Sequence, residues 1–562
     1  MAEEKAGGFI SKIIFNNGEY VDIQQNDIVI FVGPNNVGKS QALKDIYTLS
    51  SKKLPSVVIS DIEIKKSTLS VSSVLDKVCA GKSEGTYTSY KFLKHNFVHN
   101  SDYEKLFFLH HYFGDYCDLF VANLDTSARL TICEPPKSIS RNANKEHPIH
   151  YAAFDSKYRK WLSDNFQKAF GIKVTPNIHY GAIIPLCIGN PVKLDGEYED
   201  EQARQEEYID ILDTYRHVQN QGDGIKSFTG ILLYLMLDHF CTYLIDEPES
   251  FLHPPQARIM GQIIGQTLTD KQQAFISTHS EDTIKGLLEI CPNRIKIIRI
   301  TREEDINMFS VLKNEKFNEV WNDPLLKYSN IMSSLFHKAV VLCESDSDCK
   351  MYSIIESFNK KSSGQYSETL FIHCGGKHRM AKISIALRAL NIDIKIIPDI
   401  DIMNEETVFR GVVEAFDIKW ATIKRDYNQV VSNLHSAKEN VDREEAKTNI
   451  NTILNKSKSK ELSKRELDEI RLAVSTISIW DAIKKSGIPA IPSGDATSAF
   501  IRMDRVLREG GIFIVPVGEI ECFIKEIGGH GNEWVNNVLE TYPDLNNIVF
   551  TKIREFLKDM NL

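Results

Sequence analysis

Eight residues constrain this chain more than any others. Gly33-Pro34-Asn35-Asn36-Val37-Gly38-Lys39-Ser40 reads G-x-x-x-x-G-K-S and follows directly on the β-branched and aromatic run Ile28-Val29-Ile30-Phe31-Val32. The run is of strand type, and the residues after Ser40 (Gln41 to Ile46) favour a helix. Strand, glycine loop and helix in that order make a phosphate cradle. The glycines let successive N–H groups turn toward one point, and the helix N-terminus adds its dipole. Gly33, Asn35, Asn36 and Gly38 line that cradle, Lys39 is placed to reach the β- and γ-phosphates, and Ser40 to ligate Mg²⁺. The pattern predicts an α/β domain that binds ATP.

Such a domain needs an acid for the metal and a base for water. Thr242-Tyr243-Leu244-Ile245 is an apolar strand that ends in Asp246 and Glu247. This is a Walker B arrangement, with Asp246 holding Mg²⁺ and Glu247 orienting or activating the attacking water. Lys39 and Asp246 stand 207 residues apart. That is wide for a small GTPase-like fold and suits an ATPase whose two lobes are separated by an insertion, here about residues 50–200. Just before Walker B, Phe228, Ile231, Leu232 and Leu235 recur at helical spacing. Gly222, Gly224, Lys226 and Ser227 therefore fall at a helix start. After it, Ala274-Phe275-Ile276-Ser277 leads into a polar turn with His279. Inside the insertion, a helix is expected over Ser101 to Phe108 and strands over Ser56 to Ser60 and Gly181 to Cys187. His110, His111, His147 and His150 read there as structural.

The pattern resets near residue 338. The strand Ala339–Cys343 ends at Glu344, with Asp348 four residues on; Thr369–His373 runs into Cys374-Gly375-Gly376-Lys377; and Ile394–Ile397 runs into Asp399 and Asp401. This β-α-β-α-β order puts acids at the carboxyl ends of strands, where open α/β sheets place their sites. Glu344, Asp348, Asp399 and Asp401 brought together cannot all ionise without cations. Oxygen-only ligands select Mg²⁺ or Mn²⁺, and paired ions of that kind serve phosphodiester chemistry.

These motifs together resemble two families. The N-terminal set resembles ABC-type ATPases of the SMC/Rad50/RecF group. The resemblance gives Gly222, Gly224 and Ser227 the signature role toward ATP of an opposite subunit, His279 the switch role, and Ser250-Phe251-Leu252-His253-Pro254 the place of the D-loop. Pro248-Glu249-Ser250-Phe251-Leu252-His253-Pro254 is similar to the P-E-x-x-L-H-P of the OLD branch. The C-terminal set resembles a Toprim domain, with Ser345 standing where that family has glycine. Gly518-Glu519-Ile520-Glu521, after the expected strand Ile512–Val515, looks like the late G-x-x-E element of OLD-family Toprim domains and adds Glu519 and Glu521 as ligands, with Asp495 a weaker one. The family's lysine near that glycine is missing, and Lys377 and Lys525 stand as substitutes.

The resemblance implies an ABC-type P-loop ATPase domain over 1–335, with signature and Walker B at 221–250. A Toprim (Rossmann-like) nuclease domain over 336–562 would follow, with a helical insertion at about 405–490. It implies an ATP-gated, Mg²⁺- or Mn²⁺-dependent DNA endonuclease of anti-phage defence. Glu247, Glu344, Asp399 and Asp401 would be its catalytic residues. It would work as a homodimer or larger assembly, with a retron reverse transcriptase and its msDNA, or a helicase, as partner. The rival reading is an ATP-driven scaffold that binds DNA or a partner through an inactive Toprim domain.

Composition bears on two points. A chain of 562 residues exceeds what one core supports, so two domains are expected. Its net charge of −9 (67 Lys and Arg against 76 Asp and Glu) argues against a nucleic-acid substrate, unless acids such as Asp246, Glu344 and Asp399 are assigned to cations rather than to open surface. Ten scattered cysteines without a C-x-x-C pair, a charged start without an apolar leader, and an apolar run (Ile231 to Leu237) cut by Asp238 point to a reduced, cytoplasmic protein that no bilayer holds.

Overall fold

The computed structural model describes residues 7–312, 331–436, 443–455 and 479–562, less positions 53, 94, 191, 193, 195, 197, 304 and 305, together with residues 462, 463, 467 and 470. The chain divides into two compact units, Met1–Glu319 and Val320–Leu562.

The first unit is built on a six-stranded sheet. Its order is Ile306–Val311, Ile295–Glu303, Ile28–Val32, Gln273–Ser277, Thr242–Asp246, Val121–Leu124. The pair of strands at 295–303 and 306–311 is antiparallel and the others are parallel. The strands Ile28–Val32 and Gln273–Ser277 are buried at every position, as a parallel sheet covered on both faces requires. This order sets the Gln273–Ser277 strand between the phosphate-loop strand and the Walker B strand. Gly33–Ser40, Asp246–Glu247 and Ser277–His279 therefore leave the sheet at one carboxyl edge. Small antiparallel sheets flank it, one of them Gly8–Phe15 with Tyr20–Asp22 and Ile59–Lys66.

Within the insertion the expected helix forms, at Ser101–Leu109. The expected strand at Ser56 to Ser60 is displaced to Ile59–Lys66. The cause is Asp45, whose carboxylate accepts the N–H groups of Val57, Val58 and Ile59 and so bends that segment into a turn. The expected strand at Gly181 to Cys187 shrinks to Leu186–Ile188.

The second unit has a parallel sheet in the order Thr369–His373, Ala339–Cys343, Asp393–Ile397. Ile512–Val515, expected as a strand, runs beside the last of these but makes only one bridge, Ile396 to Ile512. Phe513 N–H donates to the Ile396 carbonyl and Val515 N–H to the Pro398 carbonyl. Pro398 and Pro516 lack an N–H, so the ladder cannot extend. Val341, Tyr352, Phe513, Trp534 and Phe556 belong to the core on one side of this sheet. The insertion is helical as expected, with Glu406–Ala415, Trp420–Ser436, Arg443–Leu454 and Ile479–Ser486. Residues 437–442 and most of 456–478 lie outside the described residues. Among the described residues no helix is long and apolar enough to cross a membrane, and all ten cysteines are free.

Candidate active sites

The phosphate loop leaves its strand at Gly33, where φ is +140° and a Cβ would stand 2.0 Å from the Ile300 carbonyl. Only glycine fits that position. Asn35 and Asn36 are exposed on the loop, and Gly38, at φ +95°, caps the helix Lys39–Ser51. Lys39 Nζ turns back into the loop and donates to the carbonyls of Gly33 (2.9 Å) and Pro34 (2.6 Å). Burial pulls its pKa down to about 8, against Glu247 and Asp246. Ser40 is half-buried in the first turn of that helix.

Across the edge, Asp246 accepts a hydrogen bond from the Ser277 hydroxyl. Glu247 has the left-handed φ of +47°. Its carboxylate is partly exposed, with Oε2 3.0 Å from the Ser250 hydroxyl and Oε1 3.9 Å from His279 Nε2. Burial lowers the His279 pKa, and Lys39 lowers it further. Lys39, Asp246, Glu247 and His279 thus form one electrostatic group, as the motif spacing predicts.

Two residues that the sequence reading passed over hold this turn. Glu249 is half-buried; its Oε1 accepts from the Thr278 hydroxyl and the His279 N–H, both at 2.8 Å. Arg129, fully buried, donates from Nη1 to the carbonyls of Asp246 (2.6 Å) and Glu247 (3.0 Å). Arg129 belongs to no contiguous motif, whereas Glu249 is the glutamate of the P-E-x-x-L-H-P run.

The expected signature helix is Asp223–Leu235, with Gly222 at its N-cap. Phe228, Ile231, Leu232 and Leu235 are buried on it. Gly222 is exposed. A Cβ at Gly224 would meet the Phe251 carbonyl at 2.5 Å, so this glycine admits the backbone of the segment Ser250–Pro254. Ser227 departs from its expected role. It lies a turn inside the helix, fully buried, with its hydroxyl unpartnered, and so is not displayed toward a second nucleotide.

In the second unit Glu344 follows the strand Ala339–Cys343, and Asp399 and Asp401 follow Asp393–Ile397. The two strands pair with Cys343 opposite Ile397, which brings their ends side by side. Glu344, Asp399 and Asp401 each offer an oxygen within 4.8 Å of the others. Asp399 N–H donates to Glu344 Oε1 at 3.2 Å. Burial, then Asp401, pushes the Glu344 carboxyl up to about 7. Burial, then Glu344, raises Asp399 well above the carboxylate range. Asp401 Oδ1 is buried without a hydrogen-bond partner. Gly375 and Gly376 both donate their N–H to the Glu344 carbonyl at 3.1 Å, which fixes the turn below the cluster.

Asp348 does not join this trio. Its Oδ2 accepts the Ser345 N–H at 2.9 Å while the Ser345 hydroxyl accepts the Asp348 N–H. That is a capping box for the helix Asp346–Ser362, and it accounts for a serine where the Toprim pattern has glycine. Glu519 and Glu521 form a second group with His530, which the sequence reading did not single out; its Nδ1 is 2.8 Å from Glu521 Oε1. Asp495 is exposed at the start of the helix Asp495–Glu509 and belongs to neither group.

Two lysines face the acids. Lys377 Nζ lies 3.4 Å from Asp401 Oδ2 and 3.3 Å from Glu405 Oε1. Lys484 Nζ lies 3.4 Å from Asp399 Oδ2 and 3.6 Å from Glu519 Oε2. Burial opposes its charge, but Asp399, Asp401 and Glu519 outweigh burial and its pKa rises. Lys484 was invisible from sequence because it lies in the insertion. Gly518 explains its position: at φ +110°, a Cβ there would stand 1.9 Å from the Lys484 carbonyl. Lys525 is exposed. The donor set is all oxygen at the first group and mixed at the second. Glu344, Asp399 and Glu519, which burial holds above their ordinary range, suit divalent cations.

Residues 188–284 match the family described as "AAA domain, putative AbiEii toxin, Type IV TA system". That span takes in the helix Asp223–Leu235, the Asp246–Glu247 pair and His279. Together with the G-x-x-x-x-G-K-S loop at Gly33–Ser40, this match supports a P-loop ATPase domain in the first unit. Among solved structures the chain is similar to the SMC head bound to the C-winged helix domain of ScpA, at 12% identity and a TM-score of 0.34 over 55% of this chain and 99% of that one. It is also similar to a Pyrococcus furiosus Smc head with an extended coiled coil bound to the C-terminal domain of ScpA (10%, TM-score 0.32, 56% and 99%). The SMC head domain from Thermotoga maritima follows (12%, TM-score 0.28, 54% and 99%). No curated protein matches the chain.

Proposed function

We propose that the protein is an ATP-gated, divalent-metal-dependent DNA endonuclease of the OLD type that serves in anti-phage defence. The observation that carries this reading is the trio Glu344, Asp399 and Asp401, gathered at one sheet edge with Lys484 against it, in a chain that also has a P-loop ATPase domain.

In the ATPase domain Lys39 and the loop N–H groups bind the phosphates. Ser40 and Asp246 would hold Mg²⁺, and Glu247, with His279 beside it, orients the attacking water. A nucleotide shared by two copies through Gly222 and Gly224 would make the homodimer that gates cleavage. In the second unit Glu344, Asp399 and Asp401 would hold one Mg²⁺ or Mn²⁺, and Glu519, Glu521 and His530 a second. Cations there would supply neutralisation of the charge that develops on the phosphate. Lys484, kept protonated by its acidic neighbours, takes the place of the lysine missing near Gly518 and binds the scissile phosphate oxygens. Glu344 would act as a ligand of the first cation or as the base that takes the proton of the attacking water.

The test is cleavage of plasmid DNA with Mg²⁺ or Mn²⁺ by wild type, Glu344→Ala and Lys484→Met. Wild type should nick or linearise the plasmid and both variants should lose at least about 100-fold. Equal activity in all three refutes the nuclease and leaves the ATP-driven scaffold.

A further inference from the structure

The helix Thr126–Thr131 follows the strand Val121–Leu124, the Walker B strand's neighbour. Arg129 extends from it under the Walker B turn. Nη1 donates to the carbonyls of both Asp246 and Glu247, and Nη2 to the Thr126 hydroxyl at 3.1 Å. The Glu247 carbonyl also accepts the Ser250 N–H at 3.0 Å. These bonds fix a residue whose φ of +47° a glutamate rarely adopts. The peptide planes on either side of Glu247 thereby set where its carboxylate points.

The same short helix touches the signature helix on its other side. The Arg129 carbonyl lies where a Cβ at Gly230 would meet it at 2.1 Å, and the Cys133 thiol donates to the Lys226 carbonyl at 3.1 Å. Gly230 and Lys226 both belong to the helix Asp223–Leu235. One buried guanidinium therefore joins the backbone of the catalytic turn to an element packed without a side chain between it and the signature helix. Desolvating a guanidinium is costly. Asp246, Glu249 and Glu247 offset that cost electrostatically.

We propose that Arg129 is a positioning residue for ATP hydrolysis: it holds Glu247 in its left-handed conformation and links that conformation to the placement of the signature helix. The proposal rests on the ATPase reading of the first unit. The hydrogen bonds of Arg129 go to the Asp246 and Glu247 carbonyls and to Thr126, none to the phosphate loop, so its effect falls on turnover more than on binding.

The experiment measures kcat and KM for ATP, and binding of a fluorescent ATP analogue, on the full chain. The variants are Arg129→Met and Arg129→Lys, with Lys39→Ala and Glu247→Gln as controls. Arg129→Met should bind the analogue within about twofold of wild type and lose about 100-fold in kcat, the scale of a misplaced catalytic group. Arg129→Lys, which keeps one donor, should recover about tenfold of that loss. A merely structural residue would lower thermal stability without this split between kcat and binding. Where Arg129→Met does not fold, Thr126→Val, which removes only the hydroxyl anchor, should lower kcat about threefold to tenfold with analogue binding unchanged. Wild-type kcat in folded Arg129→Met, or in Thr126→Val where that is the variant read, overturns the proposal alone. A wild-type chain that neither binds the analogue nor hydrolyses ATP, matching Lys39→Ala, overturns the ATPase reading and the proposal with it.

Discussion

Replacing Glu344 by Gln tests the carboxylate cluster without asking for activity. Glu344 Oε1 accepts the Asp399 N–H, and a glutamine Oε1 can accept it equally, so the substitution removes charge and little else. Burial and Asp401 raise the Glu344 carboxyl from 4.5 to about 7. A folded-state pKa above the unfolded one means the folded protein binds the extra proton between those values. Stability therefore falls as pH rises through the window from 4.5 to about 7. At about 1.4 kcal/mol per pKa unit, the wild-type second unit loses about 3 kcal/mol by pH 8, and Glu344→Gln does not. Urea unfolding in EDTA, followed by tryptophan fluorescence (Trp534 lies in the core of this unit), should show the variant equal to wild type at pH 4.5 and about 2–3 kcal/mol more stable at pH 8. Millimolar Mn²⁺ should reverse the order at pH 8, because only wild type presents the full ligand set. A variant no more stable than wild type at pH 8 in EDTA refutes the claim that these acids are forced together, and with it the cation argument.

Other consequences are quicker to check. Ser227→Ala removes a buried hydroxyl with no partner, so it should be neutral or stabilise by up to about 1 kcal/mol by thermal unfolding, with ATP turnover within twofold of wild type. Gly518→Ala drives a methyl group into the Lys484 carbonyl at a left-handed φ. Plasmid cleavage should be lost and the second unit destabilised by about 2–4 kcal/mol, while ATP turnover persists. Gly33→Ala meets the Ile300 carbonyl in the same way, and calorimetric titration with ATP should show no binding at a chain concentration that saturates wild type.

The sequence exposed what is local. The strands Ile28–Val32 and Ala339–Cys343 coincide with their apolar runs, because a buried parallel strand is written as an unbroken hydrophobic segment. Glu344, Asp399 and Asp401 were legible as a group because each follows such a run. What escaped depends on contacts between distant segments. Arg129 reaches the Walker B turn across 117 residues and Lys484 reaches Asp399 from inside the insertion. His530 has no periodic neighbour to announce it. Ser227 was misjudged for a different reason: a motif places a residue near a helix start, but which way a position one turn in faces is settled by packing. Asp348 showed the same ambiguity, since an acid four residues after Glu344 is also an acid at the third position of a helix.

The pairing of Ile512 with Ile396 has a consequence for how the protein is made. On the ribosome Glu344, Asp399 and Asp401 emerge more than a hundred residues before the segment from Gly511 to Glu521 that hydrogen-bonds along Asp393–Ile397 and delivers Glu519 and Glu521. The first unit has the same delay, because the Ile28–Val32 strand finds its two sheet neighbours only after residues 273–277 and 295–303 are synthesised. Both folds are rich in such long-range pairings, which form late and slowly. A chain that ends before Ile295–Glu303 therefore lacks a complete phosphate-loop sheet, and one that ends before Glu521 lacks the carboxylates of Glu519 and Glu521.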